Sequence, residues 1–316
     1  MSDAESTEKI LLDIKKYLKS LSRKATFRAL AMAVVLGSAA WSVFGLWGES
    51  SDSRPKKPHI ALIQIDGAIG PGSRYGDALK IVQSLQDAAD NKNVSAILIQ
   101  ANSGGGSPVH AEIVSNAIKE IRLTGKPVIF SVMEVCASAC LYIASQADDI
   151  YVHANSLVGS VGVKMDSWGL TELMAKLGVQ KRSYSKGAHK EFLDPFLPED
   201  EYVVGFVESQ ILEPLYDEFK TTLIEGRGDR LSDDPRTLTG LVWTGKEATK
   251  LGLADGVIDT WSLREKLKKT YNVSEIYPYN KKRVRVRDLL TADFYAEVLS
   301  QALLKVQAFN QSQVHM

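Results

Sequence analysis

Apolar side chains follow three patterns along this chain, and each pattern predicts a different element. The first is an unbroken run: residues 29–48 (ALAMAVVLGSAAWSVFGLWG) contain no charged side chain. At the helical rise per residue they reach about 30 Å, the thickness of a bilayer's hydrocarbon core, so they predict one membrane-spanning helix. The run is long for the apolar part of a cleaved leader, and no small-x-small site precedes the polar region, so it reads as a retained anchor. The second pattern is a set of strand-length stretches, IALIQI (60–65), AILIQ (96–100) and PVIFSV (127–132). Between and after them, helical spacing recurs near 77–91, over 111–123 and from about Ser138. This β-α alternation predicts a mostly parallel sheet with helices on its faces. The third pattern is amphipathic: a long helical tract over 199–226, a short helix over 246–251 ended by Gly252, and a helix over 288–309. In the last of these Leu289, Leu290, Phe294, Val298 and Leu299 share one side. Either that side packs on the chain's own core or it meets a neighbouring subunit.

Charge gives the membrane segment a direction. Lys9, Lys15, Lys16, Lys19, Arg23, Lys24 and Arg28 all precede the span, which puts the N-terminus in the cytoplasm and everything after Trp47 outside. Ile10, Leu11, Ile14, Tyr17, Leu18 and Leu21 recur among those lysines at helical spacing. They read as a basic amphipathic helix on the membrane surface or as a solvated tail. Residues 49–58 (ESSDSRPKKP) form a linker. The expected organisation is therefore a cytoplasmic basic segment (1–28), the span (29–48), the linker (49–58), a folded domain (59–280) and a C-terminal helical segment (281–316). Lys plus Arg balances Asp plus Glu at 38 each, so no global field recruits nucleic acid.

Acyl-transfer chemistry needs a nucleophile, a base and N–H donors for the oxyanion. Two loops at the carboxyl ends of predicted strands are candidate sites, NSGGGSP (102–108) and MEVCAS (133–138). Ser138 follows a buried strand and opens a helix, where backbone N–H groups lack partners. The Ala139 amide is a natural oxyanion donor there, and the glycines at 104–106 let a second donor, the Gly105 N–H, approach closely. Taken alone, a serine at a helix start is ordinarily an N-cap. The two cysteines, Cys136 and Cys140, are too few for a disulfide framework and leave the redox compartment open. No matching His or Cys pair stands at zinc-ligand spacing. The two are expected as buried small apolar side chains; the lesser alternative is a disulfide between them outside the cytoplasm, for which helical spacing is marginal.

The tracts NSGGGSP (102–108), ASACLYIAS (137–145), LVGSVGV (157–163), SKGAHKEFLDPF (185–196) and VWTGKEATKLGLAD (242–255), in that order and spacing, resemble the signal peptide peptidase A family. The similarity runs through most of residues 59–260. It implies a crotonase- and Clp-protease-like α/β spiral of β-β-α units after one transmembrane helix. It implies a serine endopeptidase on the periplasmic side of a bacterial inner membrane, cutting remnant signal peptides and other extended apolar peptides. Carried over residue by residue, the family pattern makes Ser138 the nucleophile and Lys190 the general base. Ser160 would orient the lysine amine, and the Gly105 and Ala139 N–H groups would form the oxyanion hole. A homo-oligomer whose site can draw on adjoining subunits is expected, with no cofactor and no metal. A lysine acts as a base only when neutral, and burial against apolar walls brings its usual pKa of about 10.4 down. Phe192, Leu193, Pro195 and Phe196 are expected to build such walls.

The chain departs from the family pattern twice: Ala137-Ser138-Ala139-Cys140 stands where relatives commonly carry ASGG, and Asn102-Ser103-Gly104-Gly105-Gly106 where they carry NSPGG. Ala139 keeps its N–H in place provided φ there stays negative, while Gly104 loosens a turn that proline would fix. A Ser-His-Asp arrangement through His189 and Asp194 is set aside, because neighbours on an extended segment point to opposite faces. Two other readings of the fold are a crotonase-like enzyme acting on acyl-CoA and a non-catalytic membrane scaffold. Arg227-Gly228-Asp229 reads as a turn after the long helix.

Overall fold

A strand hidden on both faces must be apolar almost throughout, and IALIQI meets that demand. In the computed structural model, which describes residues 54–280, His59–Asp66 forms β1 with its first five residues buried. Asp77 caps α1 (Ala78–Asp90) by accepting from the Leu79 N–H. Then comes β2 (Val94–Ser103), followed by α2 (Pro108–Leu123), capped by the Ser107 hydroxyl and opened by a proline whose missing N–H costs nothing there. β3 (Val128–Ala137) leads through Ser138 into α3 (Ala139–Ala144). The short strands β4 (Asp149–Val152) and β5 (Leu157–Gly159) follow, and then α4 (Thr171–Leu177) in an otherwise irregular stretch. After α5 (Glu201–Val207) and α6 (Glu213–Arg227) come β6 (Val242–Thr244), α7 (Gly245–Lys250), β7 (Gly256–Val257), α8 (Thr260–Thr270) and β8 (Ile276–Pro278).

This is a mixed α/β architecture built on one sheet in the order β6-β5-β3-β2-β1-β8, with β4 pairing both β3 and β7. All pairs are parallel except β5–β6. Alternate side chains divide between two cores, as the two-residue strand period requires. Ala61, Ile63 and Ile65 join Ile97, Ile99, Phe130 and the helical Ile81, Leu85 and Ile118 on one face. Ile60 and Leu62 join Leu98, Ile129 and the α8 residues Leu263 and Leu267 on the other. The sheet forks along β3: Ile129–Val132 pairs with β4, whereas Val135–Ala137 pairs with β5.

Three boundaries differ from expectation. The tract 133–137, expected as a loop, continues β3 because β5 gives its backbone a partner, although Glu134 faces solvent. β2 likewise runs on to Ser103, which pairs with Cys136. The helical tract over 199–226 is not continuous: a π-helical turn, Glu208–Leu212, separates α5 from α6. Pro214 stands at the start of α6. It has no N–H to complete an ordinary helical ladder, and the widened turn just before it absorbs that loss. Among the described residues no helix is long and apolar enough to cross a membrane. The span expected at 29–48 and the helix expected at 288–309 lie outside the described residues.

The end of α6 is fastened by a buried ion pair. The Arg227 side chain is fully buried; its Nη atoms donate to both Asp255 oxygens at 2.7 and 2.9 Å, and its Nε donates to the Gly252 carbonyl at 2.7 Å. The Ile150 N–H also donates to Asp255. The turn expected at Arg227-Gly228-Asp229 is there, as the 3-10 turn Gly228–Arg230. Burial pushes the Asp255 carboxyl up, but hydrogen bonds from Arg227 and Ile150 and the charges of Arg227 and Arg230 outweigh it and hold it below the ordinary carboxylate range. A carboxyl depressed by folding adds stability above its unfolded pKa of about 3.9 and loses it as pH falls through the folded value. Asp255→Ala, which strands a buried guanidinium, is expected to lose about 3–5 kcal/mol in urea unfolding at pH 7. The deficit relative to wild type should begin to shrink below about pH 4 and go on shrinking as pH falls through the lower folded value, where wild type itself loses the pair.

Candidate active site

The carboxyl end of β3 is where the fold departs furthest from ordinary backbone. Ser138 has φ 54° and ψ −124°, a region a residue with a Cβ enters at a cost of about 1–3 kcal/mol. Two hydrogen bonds hold it there: its N–H donates to the Gly159 carbonyl at 2.9 Å, and its carbonyl accepts from the Tyr142 N–H at 3.0 Å. One ties the residue back into β5 and the other forward into α3. Its side chain makes no capping bond to the helix, so the half-buried hydroxyl is left for other work. Ala139 is buried and keeps a negative φ, meeting the condition on which its N–H serves as a donor. It supplies the first N–H of α3, which has no carbonyl one turn back to bond.

Ser160 comes beside Ser138 by register. Ala137 pairs with Gly159, so the two serines follow side by side off the ends of β3 and β5. Ser160 also has a positive φ, 56°, and its N–H donates to the Leu241 carbonyl at 2.7 Å. Gly159 permits this approach, since a Cβ there would stand 2.5 Å from the same Leu241 oxygen. Across the site, Gly105 is buried at φ 110°, and a Cβ on it would fall 2.7 Å from Ser138 Cβ. Its carbonyl accepts from the Ile69 N–H at 3.0 Å. Its N–H, expected as an oxyanion donor, is taken up by Ser103 Oγ at 3.2 Å, a competing acceptor that composition gave no reason to expect. Asn102 joins the two loops, its Oδ1 accepting from the Val135 N–H.

Cys136 and Cys140 are not free apolar side chains: they form a disulfide around Ser138. The expectation treated both as helical. Cys136 is instead on the strand, and the turn at Ser138 brings the Cα atoms to 5.1 Å, inside the range a disulfide spans. Among the described residues no His, Cys, Asp or Glu cluster suits a metal ion. Behind the turn, α6 braces α3. The Thr222 hydroxyl donates to the Tyr142 hydroxyl at 3.1 Å, Gln146 Nε2 donates to the Thr222 carbonyl at 2.7 Å, and the Tyr142 ring meets Phe219 edge-on. Burial, foremost, pushes the Tyr142 hydroxyl pKa up, so it stays a neutral hydrogen-bonding group. None of these braces shows in the sequence as more than apolar or small residues at helical spacing.

Lys190 is in a different setting. It is exposed in a run of turns, its N–H donating to the Gly187 carbonyl. Among the described residues no hydrogen bond or ion pair joins it to the Ser138 cluster. The walls expected around it stay open, with Phe192, Leu193 and Phe196 each 38–43% exposed. The segment is not extended, so the ground for setting His189 aside changes: its ring stacks on Tyr202, and Asp194 is engaged by Lys181. A groove lined by Trp168, His189, Phe192, Leu197 and Val203 runs through this segment.

The architecture is that of an α/β protein with a strained serine at a strand-to-helix turn, an arrangement that acyl-transfer chemistry can use. The comparisons give the class a family. Residues 120–274 match the profile described as Peptidase family S49. The chain is 30% identical over 212 residues to the chloroplastic serine protease SPPA of Arabidopsis thaliana, covering 64% of this chain and 31% of that one. It is 29% identical over 203 residues to Protease 4 of Haemophilus influenzae, covering 63% and 32%. It is 34% identical over 226 residues to a Brucella abortus protein named Na(+)/H(+) antiporter NhaA, covering 69% of this chain and 30% of that protein. The chain belongs to peptidase family S49, as its ordered motifs implied. It spans about 30% of the length of these relatives.

Gly105→Ala is expected to push Ser138 aside while leaving the two cores untouched. Covalent labelling of Ser138 by a fluorophosphonate should fall about 10²-fold, the scale of misplacing a reacting atom by about 1 Å, with a melting temperature within a few degrees of wild type.

Proposed function

We propose that this protein is a membrane-anchored serine endopeptidase in which Ser138 attacks the peptide carbonyl and Lys190 takes its proton. The observation that carries the reading is the left-handed backbone at Ser138, which costs free energy, leaves the hydroxyl uncommitted and stands beside Ser160. In the first step a bond forms between Ser138 Oγ and the carbonyl carbon, and the Oγ proton passes to a neutral Lys190 Nζ. The Ala139 N–H receives the oxyanion, joined by the Gly105 N–H once it turns from Ser103 Oγ. Lys190 returns the proton to the departing amine, and water then hydrolyses the ester by the reverse route. Ser160 accepts from or donates to the lysine amine and sets its direction.

An exposed lysine is a poor base, so the reading requires a second copy of the chain to cover the segment around residues 164–200 and bring Lys190 to a Ser138 cluster. The exposed Trp168, Leu177, Tyr184 and Phe192 there support such an assembly. Leu157 and Val242, exposed on the strand pair beside Ser160, and Leu241 just before it support a preference for extended apolar peptides, remnant signal peptides among them. The names of the Arabidopsis and Haemophilus relatives support proteolysis. The parallel sheet with its forked end supports a crotonase- and Clp-protease-like spiral. The uncharged run 29–48 with basic residues before it supports a single-pass anchor in a bacterial inner membrane, N-terminus inside and the 59–280 domain in the periplasm, and the disulfide suits an oxidising compartment.

Cleavage of a signal peptide by the full chain tests this. Ser138→Ala and Lys190→Ala should each abolish turnover, while His189→Ala retains a substantial share of it. Mixing the Ser138→Ala and Lys190→Ala proteins should restore activity if one copy lends its lysine to another. Full activity of Lys190→Ala would remove the dyad from consideration, and absence of fluorophosphonate labelling at Ser138 would favour the scaffold or acyl-CoA reading.

A further inference from the structure

The nucleophile's turn is enclosed by the chain's only two cysteines. Cys136 is the next-to-last residue of β3 and Cys140 the second residue of α3, each 0% exposed, and the bond between them spans Ser138 with one residue, Ala137 or Ala139, on either side. Within that small ring are both groups whose positions matter for acyl transfer, the Ser138 hydroxyl and the Ala139 N–H. The ring also holds the one backbone conformation in the turn that a residue with a Cβ resists, φ 54° at Ser138.

We infer that the Cys136–Cys140 disulfide is a positioning device for the nucleophile, holding Ser138 in its strained conformation, and that its reduction slows acylation without unfolding the domain. The inference rests on Ser138 being the nucleophile. Three observations support a local effect. The bond joins the end of a strand to the start of a short helix, and both are anchored elsewhere: β3 by its pairing with β2 and β5, and α3 by Tyr142, Gln146 and Thr222. Removing the crosslink therefore leaves both elements in place and frees mainly the turn between them. Against that freedom the turn retains two backbone hydrogen bonds, Ser138 to Gly159 and Tyr142 to Ser138. A relaxed turn that breaks the first of them moves Oγ away from Ser160. Finally, no third cysteine is available for exchange, so the pair can only be closed or open. Opening consumes two electrons and two protons from an external dithiol, which itself becomes a disulfide, and yields two thiols.

The test uses the full chain in detergent and a fluorophosphonate probe, whose phosphorus bonds to Ser138 Oγ with loss of fluoride. Because the pair is buried, the chain is reduced with dithiothreitol in mild urea and returned to buffer under reductant, with alkylation of an aliquot confirming two thiols. The maximal labelling rate is expected to fall about 10²-fold, as for a reacting atom displaced by about 1 Å, with half-saturating probe concentration and far-ultraviolet circular dichroism unchanged. Reoxidation should restore the rate. Cys136→Ala/Cys140→Ala should label at the slow rate and ignore dithiothreitol. A folded double variant or a reduced wild type that labels at the oxidised rate overturns the inference, and each suffices if the other does not fold. If the oxidised wild type is folded yet never labelled, the assignment of Ser138 as nucleophile fails instead.

Discussion

A single backbone hydrogen bond, from the Ser138 N–H to the Gly159 carbonyl, determines how the two halves of the site meet. It exists because β3 changes partners midway, leaving β4 and taking up β5, so that the last residues of β3 have a neighbour at the point where the chain must turn into α3. Without β5 the tract 133–137 would be a loop, as its mixed polarity suggests. With β5, its end is as well defined as a core strand. Ser138 and Ser160 then leave the sheet in the same register and with nearly the same φ, 54° and 56°. Neither conformation is cheap for a residue with a Cβ, and the hydrogen bonds to Gly159 and Leu241 offset the cost.

The parts of the fold decided by burial were legible from side chains alone. IALIQI and AILIQ are strands because both faces are covered, and 111–123 is a helix because its apolar residues recur on one side. What escaped depends on partners remote in sequence: the pairing of 135–137 with 157–159, the placement of Cys136 on a strand, and the acceptance of the Gly105 N–H by Ser103. The break in the long helix had a local signal, Pro214, which a reading by apolar spacing passes over. At the site, Ser138, Ala139 and Gly105 were candidates from their place at strand ends and Ser160 from motif order, and the structure gathers them at one sheet end. Lys190 was named from motif order alone, and one chain leaves it in solvent.

That contrast has a physical basis. The sheet and its helices enclose a dense core that needs no second chain, and Ile63, Ile99 and Phe130 are fully buried within it. The stretch carrying Lys190 contributes only α4, a helix with no buried residue, and exposes Trp168, Leu177, Tyr184 and Phe192. A lysine held neutral requires apolar surroundings, and those apolar groups are present but not closed over it. On the proposed reading, association would complete both at once: it would cover an apolar surface costly to leave in water and desolvate the base.

The Ala139-Cys140 pair shows how the same turn can be reached from different residues. Two glycines after the serine would let the chain enter α3 freely, at the cost of a large conformational ensemble in the unfolded state. Alanine at 139 narrows that ensemble while keeping the N–H, and it is accommodated because only Ser138, and not the residue after it, takes the positive φ. Cysteine at 140 narrows it further, since a crosslink to Cys136 excludes extended paths between the strand and the helix. The side chains replacing glycine therefore need not weaken the turn. They move its definition from backbone permissiveness to a covalent tie, and this makes the geometry of Ser138 answerable to the oxidation state of its surroundings.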